Sequence, residues 1–334
     1  MRRRFAALLI VPALVLTACG GGGSKKDDTA ASPSPSQSAP APVPKPVDSA
    51  SPLPSVKGET GKKAAITIPK QDPSGKFVVH PLSEGSGAVV KKDDLVMASF
   101  TGKVWKSGKD LGSSYDKGGA PQLITAGSKT IIPAFADGVV GQKIGSRVLV
   151  VAPPAAAFGS AGQKQLGVTG KDTLVFTLDI QKVIPKRAHG TQAAIPSNLP
   201  QVKADKDAAA TISVPKNDPP KTLTDKVLIQ GDGATVKKGQ TVYMQYSGAA
   251  WKLNQGKPTA TLFDTSWKSG APFATAIGAG QVIPGWDQGL VGKKVGSRVL
   301  LVIPPKLAYG SKAQGATLPA NSTLVFVVDI LAAV

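Results

Sequence analysis

The chain carries one module twice, and that repeat limits what it can fold into. Ile131-Ile132-Pro133-Ala134-Phe135 answers Val282-Ile283-Pro284-Gly285-Trp286. Gly145-Ser146-Arg147-Val148-Leu149-Val150 answers Gly296-Ser297-Arg298-Val299-Leu300-Leu301, and both runs reach a Pro-Pro pair, at Pro153-Pro154 and Pro304-Pro305. Thr173-Leu174-Val175-Phe176 answers Thr323-Leu324-Val325-Phe326. A period of about 150 residues is the size of a domain rather than of a solenoid unit. The copies differ at a few polar and aromatic positions, so they are not expected to do the same job.

What precedes the modules reads as an export signal and a tether. Arg2, Arg3 and Arg4 lead an apolar run from Phe5 to Leu16, too short to span a bilayer and suited to a secretory signal. Leu16-Thr17-Ala18-Cys19-Gly20 resembles a bacterial lipoprotein signal, in which Cys19 becomes the lipidated first residue; a plain signal peptide with an incidental cysteine is the blander reading. Anchoring by two or more acyl chains is stable where one is reversible. Cys19 is the single cysteine, so no internal disulfide forms. The expected organisation is a signal at 1–19, a Pro/Ser/Gly-rich tether at 20–63, modules at 64–185 and 209–334, and a linker at 186–208. At about 3.1 Å per residue such a tether reaches on the order of 100 Å from a membrane.

The formal charge is +19, or 19 − 3 = +16 without the three leading arginines. The lysines are spread through modules and tether rather than clustered on a nucleic-acid-binding motif, so no nucleic acid is expected as partner. Weak attraction to anionic lipid or cell-wall polymer and a merely soluble surface both fit. Two distant histidines, His80 and His189, with one cysteine leave no Cys/His metal site and no histidine triad. No Gly-rich loop enters a long helix, so phosphate binding is not expected.

Both modules read as mostly strand. Val242, Met244 and Tyr246 alternate with Tyr243 and Gln245, the pattern of a half-buried strand. Ser297 to Ile303 suits a central strand, and Leu324, Phe326, Val328 and Ile330 alternate along the last one. Pro284 fits the first turn of one short helix, which presents Ile283, Trp286 and Leu290 on one side and ends near Gly292. Gly85-Ser86-Gly87 and Gly231-Asp232-Gly233 read as hairpin turns. The expected class is α+β, an antiparallel sheet curled around the helix in each module.

Five motifs of the second copy resemble the signature of FK506-binding proteins: Tyr246-Ser247-Gly248, Phe263-Asp264-Thr265-Ser266, Gln281-Val282-Ile283-Pro284-Gly285-Trp286, Ala308-Tyr309-Gly310 and Thr323-Leu324-Val325-Phe326. Their order matches, and the resemblance covers about Thr211 to Val334. It implies a half-barrel around the helix and a peptidyl-prolyl cis-trans isomerase without cofactor or metal. Carried over by position, Tyr246, Phe273, Trp286 and Phe326 line the pocket, with Trp286 as its floor. Val282 and Ile283 form the rim, with the Ile283 N–H and the Tyr309 hydroxyl held out to substrate carbonyls. Asp264 lies beside the twisted imide, and Phe263 and Leu318 complete the wall. The resemblance also implies FK506-type macrolides as inhibitors.

Such a pocket needs no nucleophile. The barrier to rotating an X-Pro bond is about 18–20 kcal/mol because resonance holds the amide planar. The twisted amide loses resonance and is less polar at its oxygen, so an apolar pocket favours it over the planar ground state.

The first copy departs from the pattern. Phe100, Phe135 and Phe158 stand for Tyr246, Trp286 and Tyr309, Gly112 for Asp264, and Gln122 for Phe273. A gap could bring Asp116 into play, but the Ser113-Ser114-Tyr115-Asp116 frame argues against it. Leu111, Ile131, Ile132 and Phe176 keep the pocket apolar, so the first copy is expected to be a weak or inactive isomerase that still binds proline-containing segments or supports the second copy. The reading is therefore an isomerase anchored outside the cytoplasm, acting on unfolded or proline-containing exported polypeptides mainly through its second module. A non-catalytic chaperone is the alternative. A solute-receptor lipoprotein fits less well, since such receptors are built from long helices and two α/β lobes.

Overall fold

The computed structural model describes residues 42–334. The signal, Cys19 and most of the tether lie outside them. The described chain divides into two compact units between Lys182 and Val183. The first holds β1 (Ser55–Lys57), β2 (Ala65–Thr67), β3 (Val78–Ser83), β4 (Leu95–Val104), β5 (Asp110–Ser113), β6 (Gln122–Thr125), α1 (Pro133–Ala136), β7 (Arg147–Ala152) and β8 (Leu174–Ile184). The second repeats this as β9 (Gln201–Lys203), β10 (Thr211–Ser213), β11 (Thr224–Ile229), β12 (Thr241–Ala250), α2 (Trp251–Asn254), β13 (Leu262–Thr265), β14 (Phe273–Ala276), α3 (Pro284–Leu290), β15 (Arg298–Ile303) and β16 (Leu324–Ala333). Among the described residues, no helix is long and apolar enough to cross a membrane.

Each unit has an antiparallel six-stranded sheet with a short helix, α1 or α3, packed on one side, in the order β3-β7-β8-β4-β5 or β11-β15-β16-β12-β13. β6 and β14 also pair with β4 and β12, so the long strand has two partners along one edge. This arrangement bears out the α+β expectation. The concave side of the second sheet packs Val299, Leu301, Ile303, Val328 and Ile330 against Trp286 and Leu290 of α3. Pro284 at the first turn needs no amide partner there, and it starts the helix at that point.

The other side of the sheet is also covered, which the sequence reading did not anticipate. β9 and β10 form a hairpin in register Val202↔Ile212. Ile212, Val214 and Val202 pack with Trp251 on Leu300, Val302, Val325 and Val327. β1 and β2 do the same, with Ile66 and Trp105 against Leu149, Val151 and Val175. The stretch expected to be tether thus supplies β1, and the linker stretch supplies β9. Burying a side chain such as Ile212 contributes about 1.5–3 kcal/mol. The two faces explain why β15 is apolar at every position from Val299 to Ile303. They also correct the half-buried reading of β12: Tyr243 and Gln245 are buried alongside Val242 and Met244.

A buried ion pair fastens each hairpin. Arg298 and Asp329 face each other across β15 and β16 and bond twice, Nε to Oδ1 and Nη2 to Oδ2, both at 2.7 Å. Arg298 Nη1 then donates to the Ala204 carbonyl at the hairpin turn, at 2.7 Å. Arg147 and Asp179 repeat this, with Arg147 reaching the carbonyls of Gly58 and Lys62. Removing one partner of such a pair costs about 3–5 kcal/mol because the other charge stays buried. In the second unit the linker joins in: the Ala188 N–H donates to Asp329 Oδ2 at 3.0 Å and the Ala193 N–H to the Leu228 carbonyl at 2.7 Å.

The paired glycines do not form hairpin turns, because β3 and β4 are not neighbours in the sheet, nor are β11 and β12. They mark a close backbone crossing. A Cβ on Gly85 would stand 2.1 Å from the Ile144 carbonyl oxygen, and one on Gly231 2.2 Å from that of Val295.

Candidate active site

The second unit gathers the predicted aromatic residues into one cluster. Trp286 lies at the bottom on α3, only 4% exposed. Its ring centroid is 5.2 Å from Tyr246 on β12, 5.2 Å from Phe326 on β16 and 5.9 Å from Phe273 on β14, each meeting it edge to face. Tyr246 also meets Phe273 at 5.7 Å, and Phe263 on β13 meets Phe326 at 5.6 Å. Edge-to-face pairs of this kind contribute about 0.5–1.5 kcal/mol each beyond burial, so the rings hold one another in place. Gly248 makes it possible: a Cβ there would come within 2.7 Å of Phe326 and 2.9 Å of Phe263.

Polar groups stand at the edge of this box. The Tyr246 hydroxyl donates to Asp264 Oδ2. Asp264 Oδ1 accepts from the Thr265 N–H at 2.8 Å, which fixes the carboxylate. Burial, and then the Asp264 carboxylate it donates to, push the Tyr246 hydroxyl well above the ordinary tyrosine range. It therefore remains a donor at any working pH. Ser266 Oγ accepts from the Tyr246 N–H and Thr265 Oγ1 donates to the Tyr246 carbonyl, so the end of β13 and the residue after it hold the tyrosine in place by its backbone.

The rim is apolar and open to solvent. Phe273 is 37% exposed and Tyr309 39%. Val282 and Ile283 are half-buried against the helix core, and Leu318 is buried beneath the rim. The Ile283 N–H has no acceptor among the described residues, as the first turn of a helix leaves it. The Trp286 indole Nε1 is also buried without a partner. Asp287 was not singled out in the sequence. Its carboxylate accepts from the N–H groups of Gly278 and Gly280, at 2.6 and 2.8 Å, and so clamps the loop that delivers Val282 and Ile283.

The first unit keeps the architecture and loses the polar groups. Phe135 on α1 stands 5.5 Å from Phe100 and 5.1 Å from Phe176, again edge to face. Register fixes the correspondence: Gly112 faces Gly102 as Asp264 faces Gly248, and Gln122 faces Ala98 as Phe273 faces Met244. Asp116 lies on the surface with Lys63, away from the pocket. The backbone clamp survives, since Ser114 Oγ accepts from the Phe100 N–H at 3.1 Å. Leu111, Ile131, Ile132 and Phe158 are half-buried around the phenylalanines. Val168 is buried where the loop's backbone bond to Gln163 matches that of Leu318 to Gln314. That residue was missed, because the loop is one residue longer than its counterpart. Tyr115, a residue past Ser114, donates instead to Asp179 on the far side of the sheet.

Comparisons with known proteins place both halves of the chain in one family. The family model for FKBP-type peptidyl-prolyl cis-trans isomerases matches residues 87–181 and 233–331. An FK506-binding protein of Streptomyces anulatus is 43% identical over 122 residues, which is 36% of this chain and 94% of that protein. FK506-binding protein 1A of Neurospora crassa is 42% identical over 110 residues, 33% of this chain and 86% of that protein. Among solved structures, AtFKBP13 is 29% identical with a TM-score of 0.30, over 36% of this chain and 98% of that one. With both units matched and a relative covered almost end to end, the chain belongs to the FKBP-type peptidyl-prolyl cis-trans isomerase family, and it carries that family's domain twice.

Proposed function

We propose that the second unit performs the isomerisation and that it acts on exported polypeptides from a lipid anchor at Cys19. The observation that carries the catalytic part is the Tyr246–Asp264 pair set against the Trp286, Phe326 and Phe273 box, since the first unit lacks both members of the pair. The proline ring enters the aromatic box. The Ile283 N–H and the Tyr309 hydroxyl hold the carbonyls on either side. Asp264, fixed by two hydrogen bonds, faces the imide as it turns and its charge redistributes. No bond breaks, so differential binding of the twisted amide is the whole mechanism. FK506-type macrolides compete for the same box. The first unit contributes weak turnover or none.

A protease-coupled or proline-limited refolding assay on the chain from Gly20 onward tests this. The expected result is a faster slow phase that FK506 suppresses and that Trp286→Ala removes. An unaccelerated slow phase in the intact protein overturns the proposal. Growth in a radiolabelled fatty acid tests the anchor: label on the wild type and none on Cys19→Ser is expected, and an unlabelled wild type sinks it.

A further inference from the structure

We infer that the outer face of the second unit carries a separate binding site, one that takes a small secondary amide such as an N-acetyl group. A cleft of about 200 Å³ opens there between the β9–β10 turn and Trp267, on the side of the sheet away from the aromatic box. Arg298, Asp329, Gln245 and Val327 line it from the sheet, and Ala204, Ala208 and Ala210 line it from the turn. Gln245 is only 7% exposed, yet its Nε2 has no partner among the described residues. Ser266 Oγ accepts from the Tyr246 N–H and donates its own O–H to Gln245 Oε1. That bond sets the side-chain amide with its nitrogen left for the cleft.

The first unit fills the corresponding place with its own groups, and those groups define the guest. Asp179 accepts four hydrogen bonds, from Arg147 Nε and Nη2, the Gly61 N–H and the Tyr115 hydroxyl. Asp329 accepts three, from Arg298 Nε and Nη2 and the Ala188 N–H, and Trp267 follows Ser266 where Tyr115 follows Ser114. Arg147 Nη2 also donates to the Lys62 carbonyl at 2.5 Å, whereas Arg298 Nη2 has no second acceptor among the described residues. Relative to the first unit, the second therefore lacks one donor and one acceptor. A carboxylate accepts about four hydrogen bonds, so Asp329 can take one more, from a ligand N–H. Arg298 Nη2 and Gln245 Nε2 are two donors for one carbonyl oxygen, which has two lone pairs. A secondary amide supplies both parts, and the alanines, Val327 and the Trp267 ring receive its methyl groups. A carboxylate ligand would set an unpaired charge beside an ion pair that is already neutral, which costs more than a neutral acceptor. An ester has the carbonyl and no N–H.

Fluorine NMR on the chain from Gly20 onward, labelled with fluorotryptophan, tests this without any measurement of turnover. Trp267→Phe identifies the Trp267 resonance. N-methylacetamide should move that resonance saturably, with a Kd of about a millimolar or weaker. Acetate and methyl acetate should move it far less. Gln245→Glu keeps the oxygen for Ser266 and removes the donor, and Ala208→Leu crowds the cleft from the exposed turn. Each should weaken the binding about tenfold. An equal response to acetate or methyl acetate overturns the amide assignment. A Trp267 resonance that stays still overturns the site, and full affinity in both variants places the ligand elsewhere, with the same consequence. N-acetylglucosamine and N-acetylglycine amide then separate the sources: a response to the first alone assigns the group to a sugar, and to the second alone to a peptide. A response to neither overturns the inference.

Discussion

The two pockets share a scaffold and differ in what it holds. Strand register, the Ser114 or Ser266 clamp and the edge-to-face aromatic floor are common to both. Tyr246 and Asp264 become Phe100 and Gly112, so the hydrogen-bonded pair is lost as a pair. Either change alone would leave a carboxylate or a buried hydroxyl without its partner, which costs more than losing both. The pair is therefore a detachable unit on a fold that does not need it. Packing sets the shape of the pocket, and two side chains at its edge set its chemistry.

The widest separation should come from the floor. Trp286→Ala is expected to lower kcat/KM of the intact chain roughly a hundredfold, on the order of 2.7 kcal/mol of transition-state stabilisation. Phe135→Ala, its counterpart, should leave turnover nearly unchanged while costing about 3–5 kcal/mol of first-unit stability. Equal losses of activity from both would erase the functional distinction between the pockets. Next comes a gain of function. Installing Phe100→Tyr with Gly112→Asp in a chain already bearing Trp286→Ala should restore activity about tenfold over that background. Gly112 sits at φ +98, so the aspartate carries some backbone strain. No recovery would show that the pair alone does not make the difference.

Smaller effects should follow from dissecting the second pocket. Tyr246→Phe and Asp264→Ala are each expected to lower kcat/KM about threefold to fivefold, with the double variant no worse than either, as groups that act through one bond behave. Strictly additive losses would argue that they act separately. Because the Tyr246 hydroxyl is held above its ordinary range, it should add no titration to the rate between about pH 7 and 9. The smallest effect concerns stability. Burial and the Asp179 carboxylate push the Tyr115 hydroxyl from 10.0 up to about 12. A raised folded value means stability is full below about pH 10 and is lost as pH rises through about 12. Tyr115→Phe should flatten that alkaline loss for the first unit, measured by thermal unfolding across the window. An identical alkaline profile would remove the linkage.

The sequence made some of this plain and hid the rest for physical reasons. The concave side was legible because its residues recur in unbroken motifs, and β15 and β16 read directly as strands. The hairpins were not, although Ser51-Pro52-Leu53-Pro54-Ser55-Val56-Lys57 answers Ser197-Asn198-Leu199-Pro200-Gln201-Val202-Lys203. Three-residue strands amid proline and lysine lack the periodicity that marks longer ones. That repeat also runs at 146 residues, because a six-residue insertion around α2 lengthens the later spacing. Trp105 and Trp251 keep the shorter interval, and each indole donates to a carbonyl, of Gln71 and Asn217. Ile283 and Tyr309 were nameable only through the family likeness, since a free N–H and an exposed hydroxyl leave no trace in composition. Asp287 was invisible because its role is to two backbone amides across a loop.

The straps on the outer face of each sheet have a practical consequence for anyone cutting this chain apart. A fragment that starts at residue 87 or 233, where the family likeness begins, leaves behind the pieces that shield Trp105 or Trp251 and leaves an arginine–aspartate pair half wrapped. Such a fragment should clump or melt early, and its silence in an assay would say nothing about the pocket. Starting ahead of Val47 for the first half, and ahead of Arg187 for the second, keeps each sheet clothed on both sides.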